Sequence, residues 1–520
     1  MAPNPNVPTW NKRPIVPTLL NAPWPMAQHD SAHSSMGGYQ APAANPYVKW
    51  QFAGPWPYLS VAIVDRENIF VSDGKTLHAL NPTNGAENWS APLPGGAYMI
   101  PSMYPGGTYG LPTFAPALSN KESTVYAASA TVLAAFDKKT GNMLWNIPLG
   151  INIMDPYVAP DGAIVVTSWE GVYSVNSQGG LNWEIPIDPL PARFSPFTPP
   201  TIGPDGKIYF GTVYPIAIVC LNSAGLQVWE AVAPTNDDAY FPLTLNTQDP
   251  SGTSLYAASQ NGVTAYSASN GTERWNYQVA PGAQVSGGLA VDSNSNQIYV
   301  PSYGFLVALN LDGSLAWKTQ VGTESLCTPS VDSNSLVLVE DAMGMIYALD
   351  SSGKTLWSFN AQVPSGDYYA AAFWYNCASI GTGQTVYASG ESITAISAEN
   401  TTTPSKLPVS SPHTPGGLWG VPWLVAYYMS QGMSITQVIE RILSGNLPPV
   451  VPPGPVPGPY AAYRNATNTW LIGAQSIMLS LTTADSASSK QLADRGLKMM
   501  EQALRQFRSL TPGAGADPTS

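Results

Sequence analysis

The stretch TVYAASATVLAAFDKKTGNMLWNIPL, residues 124–149, decides the fold. Two β-rich runs come first, then a turn over DKKTG, then a strand carrying Trp145. The same order recurs in NIFVSDGKTLHALNPTNGAENWSAPL (68–93), AIVVTSWEGVYSVNSQGGLNWEIPI (163–187) and KIYFGTVYPIAIVCLNSAGLQVWEAV (207–232). It returns in SLYAASQNGVTAYSASNGTERWNYQV (254–279), QIYVPSYGFLVALNLDGSLAWKTQV (297–321) and LVLVEDAMGMIYALDSSGKTLWSFNA (336–361). The tryptophans are Trp89, Trp145, Trp183, Trp229, Trp275, Trp317 and Trp357, spaced on average about 45 residues apart, the length of a four-stranded propeller blade.

In every copy a glycine stands four residues before the tryptophan: Gly85, Gly141, Gly179, Gly225, Gly271, Gly313 and Gly353. A hairpin loop built on a type I turn closes with a residue at positive φ, where glycine costs least. The tryptophan then lies on the outgoing strand, where its ring packs between neighbouring blades. An eighth copy, TVYASGESITAISAEN (385–400), lacks its tryptophan strand, while an orphan strand, YVKWQFAG (47–54), stands upstream with Trp50. Placing Trp50 in the last blade closes the ring and removes an unpaired strand edge. The expected fold is all-β: an eight-bladed propeller at 46–403, closed by an N-terminal strand. A seven-bladed ring is the alternative.

Composition agrees. Only 10% of the 520 residues are charged, and Pro 50, Gly 46, Trp 16 and Tyr 26 mark a turn-rich, aromatic chain. A net charge of −12 without a Lys/Arg cluster argues against nucleic-acid binding, which needs a basic face. Cys220, Cys327 and Cys377 are far apart and form no zinc or disulfide pattern. The Pro-rich N-terminus lacks a signal-peptide core, and the longest apolar run, LWGVPWLVAYYM (418–429), is too short to span a bilayer.

The pattern AAFDKKTGNMLW (134–145) resembles the tryptophan-docking repeat of pyrroloquinoline-quinone-type (PQQ-like) propellers. The other copies keep the Gly and Trp and lose the Asp or Thr. The resemblance covers about residues 24–400 and implies the fold. Its family holds quinoprotein dehydrogenases and also non-catalytic scaffolds such as outer-membrane assembly lipoproteins. The enzymes' adjacent-cysteine disulfide, calcium-ligand acids and CxxCH haem motif have no counterpart in this sequence. No catalytic, cofactor-binding or metal-binding residue is therefore assigned, and no cofactor is expected.

Individual candidates read as structural. WPMAQHDSAHSS (24–35) holds His29 and His33, whose spacing would suit a metal pair on a helix. In propellers of this resemblance, a W-P-x-x-x-x-D-x-x-H segment leads into the first strand, and Trp24, Pro25, Asp30 and His33 match it. Asp30 and His33 are then expected to hydrogen-bond this lead-in loop to the ring, with Trp24 packed against it. His78 fills a blade position held elsewhere by Ala134, Tyr173, Val219, Thr264, Val307 and Tyr347, a packing slot; His413 lies in a Pro/Ser-rich link. The acids of TNDDAY (235–240) and VEDAMG (339–344) are expected as solvated turns or strand-end hydrogen-bond partners. No GxSxG, Walker A or strand–helix GxGxxG motif is present.

Two insertions and a C-terminal extension remain. PGGAYMIPSMYPGGTYGLP (94–112), with Tyr98, Met99, Tyr104 and Tyr109, and SGDYYAAAFWYNCASIG (365–381), with Tyr368, Tyr369 and Trp374, suit binding loops on a rigid face. After 403, a short helix in SITQVIERILSG and a polyproline spacer (447–459) precede two helical segments. The last carries an apolar stripe that includes Leu492, Met499 and Phe507. The resulting expectation is a Pro-rich arm at 1–45, the propeller, and an extension at 404–520. Together they would form a non-catalytic structural or protein-interaction module of a larger assembly, possible as a homo- or hetero-oligomer. Protein partners would dock through the arms and C-terminal helices, in a virion or at a cell surface, and otherwise in the cytoplasm. A PQQ-like oxidoreductase or a carbohydrate-binding propeller is the alternative.

Overall fold

The computed structural model describes residues 21–398, apart from 45, 55–58, 96–113, 151–152, 169, 187–197, 214–215, 233–240, 281–283, 323–325, 342–343, 362–377 and 391, together with Lys498 and Arg505. The aromatic insertions, the arm before residue 21, Cys377 and His413 fall outside the described residues. So do Leu492, Met499 and Phe507.

Residues 47–397 form eight four-stranded antiparallel sheets. Blades 1 to 7 span 63–92, 117–148, 157–186, 201–232, 244–278, 290–320 and 330–360, each with its strands in chain order. Blade 8 takes Ser379–Ile380, Thr385–Ser389 and Ile393–Ser397 from the end of the ring, and Tyr47–Phe52 from its beginning as the outermost strand. Trp50 pairs there with Ala395. The two ends of the ring are thus joined by a backbone ladder.

The burial pattern explains why these segments are strands. Middle strands such as Ile164–Ser168 and Gly171–Val175 are buried at every residue, as expected for strands covered on both faces by adjacent blades. Outermost strands alternate, as in MLWNIP of blade 2 and LNWEIP of blade 3. The short signals APDG, GPDG and the two VDSNS stretches turn the first strand of a blade into its second.

Opposite each tryptophan the third strand places a small residue: Ala79, Ala135, Ser174, Cys220, Ala265, Ala308, Ala348 and Ala395. A β-bulge sits beside each pair. The space goes to the indole, which leans onto the next blade and donates its Nε1–H to a turn carbonyl there. Trp50 donates to Pro82, Trp89 to Lys138, Trp145 to Ser177 and Trp183 to Ser223. Trp229 donates to Ala268, Trp275 to Leu311, Trp317 to Ser351 and Trp357 to Pro42, at 2.8–3.1 Å throughout. The ring of docked indoles closes on itself.

The repeated glycine receives the ring. At Gly141, φ is +71°, and a Cβ there would stand 2.5 Å from Cε3 of Trp89. The position forbids a side chain twice, by backbone conformation and by space. Gly141→Ala should therefore lower unfolding free energy by about 2 kcal/mol or more. Trp89→Ala should cost roughly 3–5 kcal/mol. Urea unfolding followed by tryptophan fluorescence checks both, with Gly383→Ala, which has open space around it but also a positive φ, as the strain-only control.

Candidate functional site

Antiparallel order gives the ring two distinct faces. The turns between first and second strands, and the glycine turns between third and fourth, gather on one, the turn face. The connections between blades, and the turns between second and third strands, gather on the other, the loop face.

Residues 22–41 cross the axis on the turn face. The innermost strand of each sheet has an unpaired inner edge, and buried backbone N–H groups need acceptors. This segment supplies them. Val64 and Trp24 exchange two hydrogen bonds; Leu118 donates to Pro25, Ile202 to Ser31, Leu245 to Ala32, Val291 to Ser34 and Val331 to Ser35. Those contacts reach blades 1, 2, 4, 5, 6 and 7. In blade 3 the Tyr157 ring lies 4.4 Å from the His33 ring, and in blade 8 Ile380 faces Gly37 beside the Trp24 ring. All eight blades touch this hub.

The hub's shape follows from its own chemistry. Gln28, His29, His33 and Ser35 adopt positive φ, which swings successive carbonyls outward toward different blades. Asp30 organises the bend: Oδ1 accepts from the backbone N–H of Ala32 and Ser34, and Oδ2 accepts from Ser34 Oγ and meets His29 Nδ1. Burial raises the Asp30 pKa, but the bonds to His29 and Ser34 outweigh it and hold the carboxyl below its ordinary range. Asp30 therefore ties the segment to itself rather than to the ring. His33 makes the bond to the ring, from Nδ1 to Thr201 Oγ1 of blade 4. Burial pushes its pKa down to about 4, so the ring is neutral at physiological pH. Neither histidine lies on a helix, and the helical metal-pair geometry does not arise. Gln28 Oε1, Ser35 Oγ, Thr244 Oγ1 and Ser330 Oγ are buried around the hub without a protein partner, a setting that suits ordered water.

On the loop face, the residues that follow several inter-blade connections are fastened to a neighbouring strand or blade. Asp155 Oδ1 accepts from Ala115 N–H just after the first aromatic insertion, and Thr167 Oγ1 donates to Thr198 O. Ser286 Oγ donates to Leu326 O, and Ser379 Oγ donates to Ala62 O just after the second insertion. Both aromatic insertions leave this face, one between blades 1 and 2 and the other between blades 7 and 8. They bracket the two blades at the seam where the ring closes.

Two buried acids accompany these anchors. Burial pushes the Asp155 pKa up to about 7. Burial, with the charge of Asp341 added, pushes Glu340 up to about 8. Glu340 is thus buried and not in a solvated turn. Asp341 is a strand-end partner, accepting from Met345 N–H and Tyr347 Oη–H. His78 is buried against Phe52 of the closing strand, with Nδ1 2.8 Å from Glu87 and Nε2 3.4 Å from Asp73. Burial opposes its charge, yet the bonds to Asp73 and Glu87 hold its pKa above the ordinary value. Cys220 and Cys327 are buried, and neither forms a disulfide among the described residues. Among the described residues, no group of three or more His, Cys, Asp or Glu stands together as a metal site, and no helix is long and apolar enough to cross a membrane.

Comparison with known proteins follows this geometry. The family model described as outer membrane protein assembly factor BamB matches residues 48–277 and 259–416, and the chain belongs to this family of PQQ-type propellers. A BamB of Yersinia pestis is 35% identical over 127 residues, which cover 22% of this chain and 32% of that protein. The match thus spans about a third of that relative's length. BamB of Moraxella catarrhalis superposes with a TM-score of 0.50 at 15% identity, over 69% of this chain and 100% of that one. Quinohemoprotein alcohol dehydrogenase of Comamonas testosteroni gives 0.58 at 13% identity, over 78% and 84%. The quinohemoprotein alcohol dehydrogenase ADHIIG of Pseudomonas putida HK5 gives 0.62 at 13% identity, over 96% and 99%. These structural likenesses establish the fold alone.

The quinone of such dehydrogenases is a polycarboxylate and needs cationic partners. The innermost strands here, from Ile63–Val64 to Ser379–Ile380, carry no Lys or Arg, and the hub histidine His33 is neutral. The described axial residues do not fit that group.

Asp155 and Glu340 have folded pKa values above their unfolded ones. Stability from their protonated forms is therefore present at low pH and lost as pH rises through about 7 to 8. The Asp155→Asn, Glu340→Gln double variant should gain on the parent progressively from pH 5 to 9, by about 1.4 kcal/mol for each pKa unit relieved. Urea unfolding at a series of pH values measures the difference.

Proposed function

We propose that this chain is a non-catalytic protein-interaction module of an envelope assembly, presenting its loop face to protein partners. The observation that carries this reading is the anchoring of the loop feet on a ring whose axis the chain itself fills. Loops held on a rigid scaffold are natural recognition elements. Around the hub the buried side chains of Gln28, His33, Ser35, Thr244 and Ser330 carry no charge, and the carboxylate of Asp30 is bonded within the segment itself. The naming of the matched family and of the Yersinia pestis relative as outer membrane protein assembly factors supports an assembly role and an envelope location. None of the relatives named above is a virion component, and the virion reading gains nothing from them.

In this reading Tyr98, Met99, Tyr104 and Tyr109 of the first insertion and Tyr368, Tyr369 and Trp374 of the second each contribute to partner recognition. The arm before residue 21 and the extension at 404–520, including Leu492, Met499 and Phe507, dock neighbouring proteins, and the described residues next to both lie on the turn face. Residue 22 meets Glu122 in a turn of blade 2 on that face, and the strand Ile393–Ser397 ends there.

Replacing the seven loop residues by Ser should leave the melting temperature within about 2 °C, as expected for surface changes. The same variant should lose its native complex when cells are cross-linked before purification. Removing 404–520 should leave a folded ring that no longer assembles. Dye-linked alcohol oxidation appearing with added quinone and calcium would overturn this reading in favour of the oxidoreductase.

A further inference from the structure

The outermost strands of the eight blades keep one edge outside their own sheet's ladder, and on six of them a proline or a basic residue stands on it. At the third position after the tryptophan, blades 1 to 3 carry Pro92, Pro148 and Pro186, which cannot donate to an added strand. Blades 5 to 7 carry Gln278, Gln320 and Asn360 there. Basic side chains stand on the same edges at Arg274, Lys318 and, in blade 8, Lys49. Lysine, charge and proline are the ordinary means of keeping an edge from pairing.

Blade 4 differs. Its outer strand, Gln227–Val232, reads QVWEAV. Leu226, Val228 and Val232 are 65%, 45% and 63% exposed, and Leu226 and Val232 head the exposed aliphatic residues among those described. Of the eight outer strands, this one alone has aliphatic residues both just before the tryptophan and three places after it. The β-bulge at Val228 is common to all eight outer strands and so does not distinguish it. From Trp229 to Val232 the ladder to the third strand is regular, pairing Trp229 with Cys220 and Val232 with Ala217. The opposite edge of the same residues offers its N–H and C=O groups to solvent. Glu230, exposed and bonded only to Gln227 Nε2 at 3.3 Å, stands between the valines.

We propose that the outer edge of blade 4 is a docking strand that takes an extended segment of a partner protein, with a Lys or Arg flanked by aliphatic residues. Backbone pairing supplies affinity, and the side chains at alternate positions supply selection. Aliphatic groups on the incoming strand cover Val228 and Val232, and its cation lies across from Glu230, an opposite-charge cross-strand pair. A second copy of this chain is a poorer occupant. An antiparallel register that sets Val228 against Val232 of the copy also sets Glu230 against Glu230, and like charges directly opposite repel. This site lies on the wall of the ring and goes beyond the loop-face reading: the serine variants of the loops leave it intact.

The test uses the full chain and a fluorescein-labelled decapeptide of alternating Val and Thr with one central Lys, read by fluorescence anisotropy. Its counterpart with central Glu serves as comparison. The Lys peptide should bind at least about tenfold tighter than the Glu peptide, the factor set by about 1.4 kcal/mol. Glu230→Lys should reverse that order, and Val232→Pro should abolish binding of both while leaving the melting temperature unchanged. The proposal is overturned by no binding of the Lys peptide at millimolar concentration, or by binding that Val232→Pro does not alter. It is equally overturned if sedimentation shows a dimer that Val232→Pro dissolves and the peptide does not displace, since the edge then belongs to a second copy.

Discussion

Everything in this ring depends on one contact made at each of eight boundaries: an indole leaning across to donate its N–H to a backbone carbonyl on the far side, seven times in a turn and for Trp357 at Pro42. A single such hydrogen bond contributes only about 1 kcal/mol net. The burial of the ring that goes with it is worth more. What makes the contact decisive is its geometry. The small residue opposite each tryptophan frees space within the blade, while the glycine of the next blade lets the ring approach its backbone. Neither change is useful without the other. Because Trp50 docks on blade 1 and Trp357 on Pro42, the contact bridges both sides of the blade that the two chain ends share. At the seam Gly85 receives Trp50 as at the other boundaries, while Trp357 docks without such a glycine.

The hub answers a second constraint. Eight sheets converging on an axis leave eight inner edges, and each edge needs acceptors for its buried N–H groups. Residues 22–41 meet that need in six of the blades through carbonyls that fan outward, and touch blades 3 and 8 through side chains. The consequence for function is direct. On the turn face the axis is occupied by the hub, whose His33 is uncharged, and the surfaces proposed for recognition lie elsewhere. They are the loop face, where loop feet are fastened, and the ring wall, where the outer strand of blade 4 exposes Leu226, Val228 and Val232.

Much of the ring was legible because its constraint is periodic. A glycine four places before a tryptophan, seven times over, leaves little choice of turn or of packing, and the tolerant slot at His78 did prove to be an interior blade position. The hub was only half legible. Trp24, Asp30 and His33 stood out as a motif, but nothing in their spacing says that Asp30 serves its own loop or that the carbonyls of Pro25, Ser31 and Ala32 serve three different blades. Those contacts join residues more than 90 positions apart. Positive φ at Gln28, His29, His33 and Ser35, without a glycine to announce it, hid the bend. Glu340 was misjudged for a related reason: burial at a strand end is decided by the neighbouring blade, which a local window does not contain.

The most direct measurement is hydrogen exchange of the indole N–H groups, read by NMR on protein labelled with 15N-tryptophan. If docking and hub make the ring one cooperative unit, then Trp50, Trp89, Trp145, Trp183, Trp229, Trp275, Trp317 and Trp357 exchange only through global opening. All eight would then share one free energy equal to that of urea unfolding. Faster exchange at Trp50 and Trp357 alone, with a lower free energy than the other six, would contradict the account. It would show that the seam opens on its own.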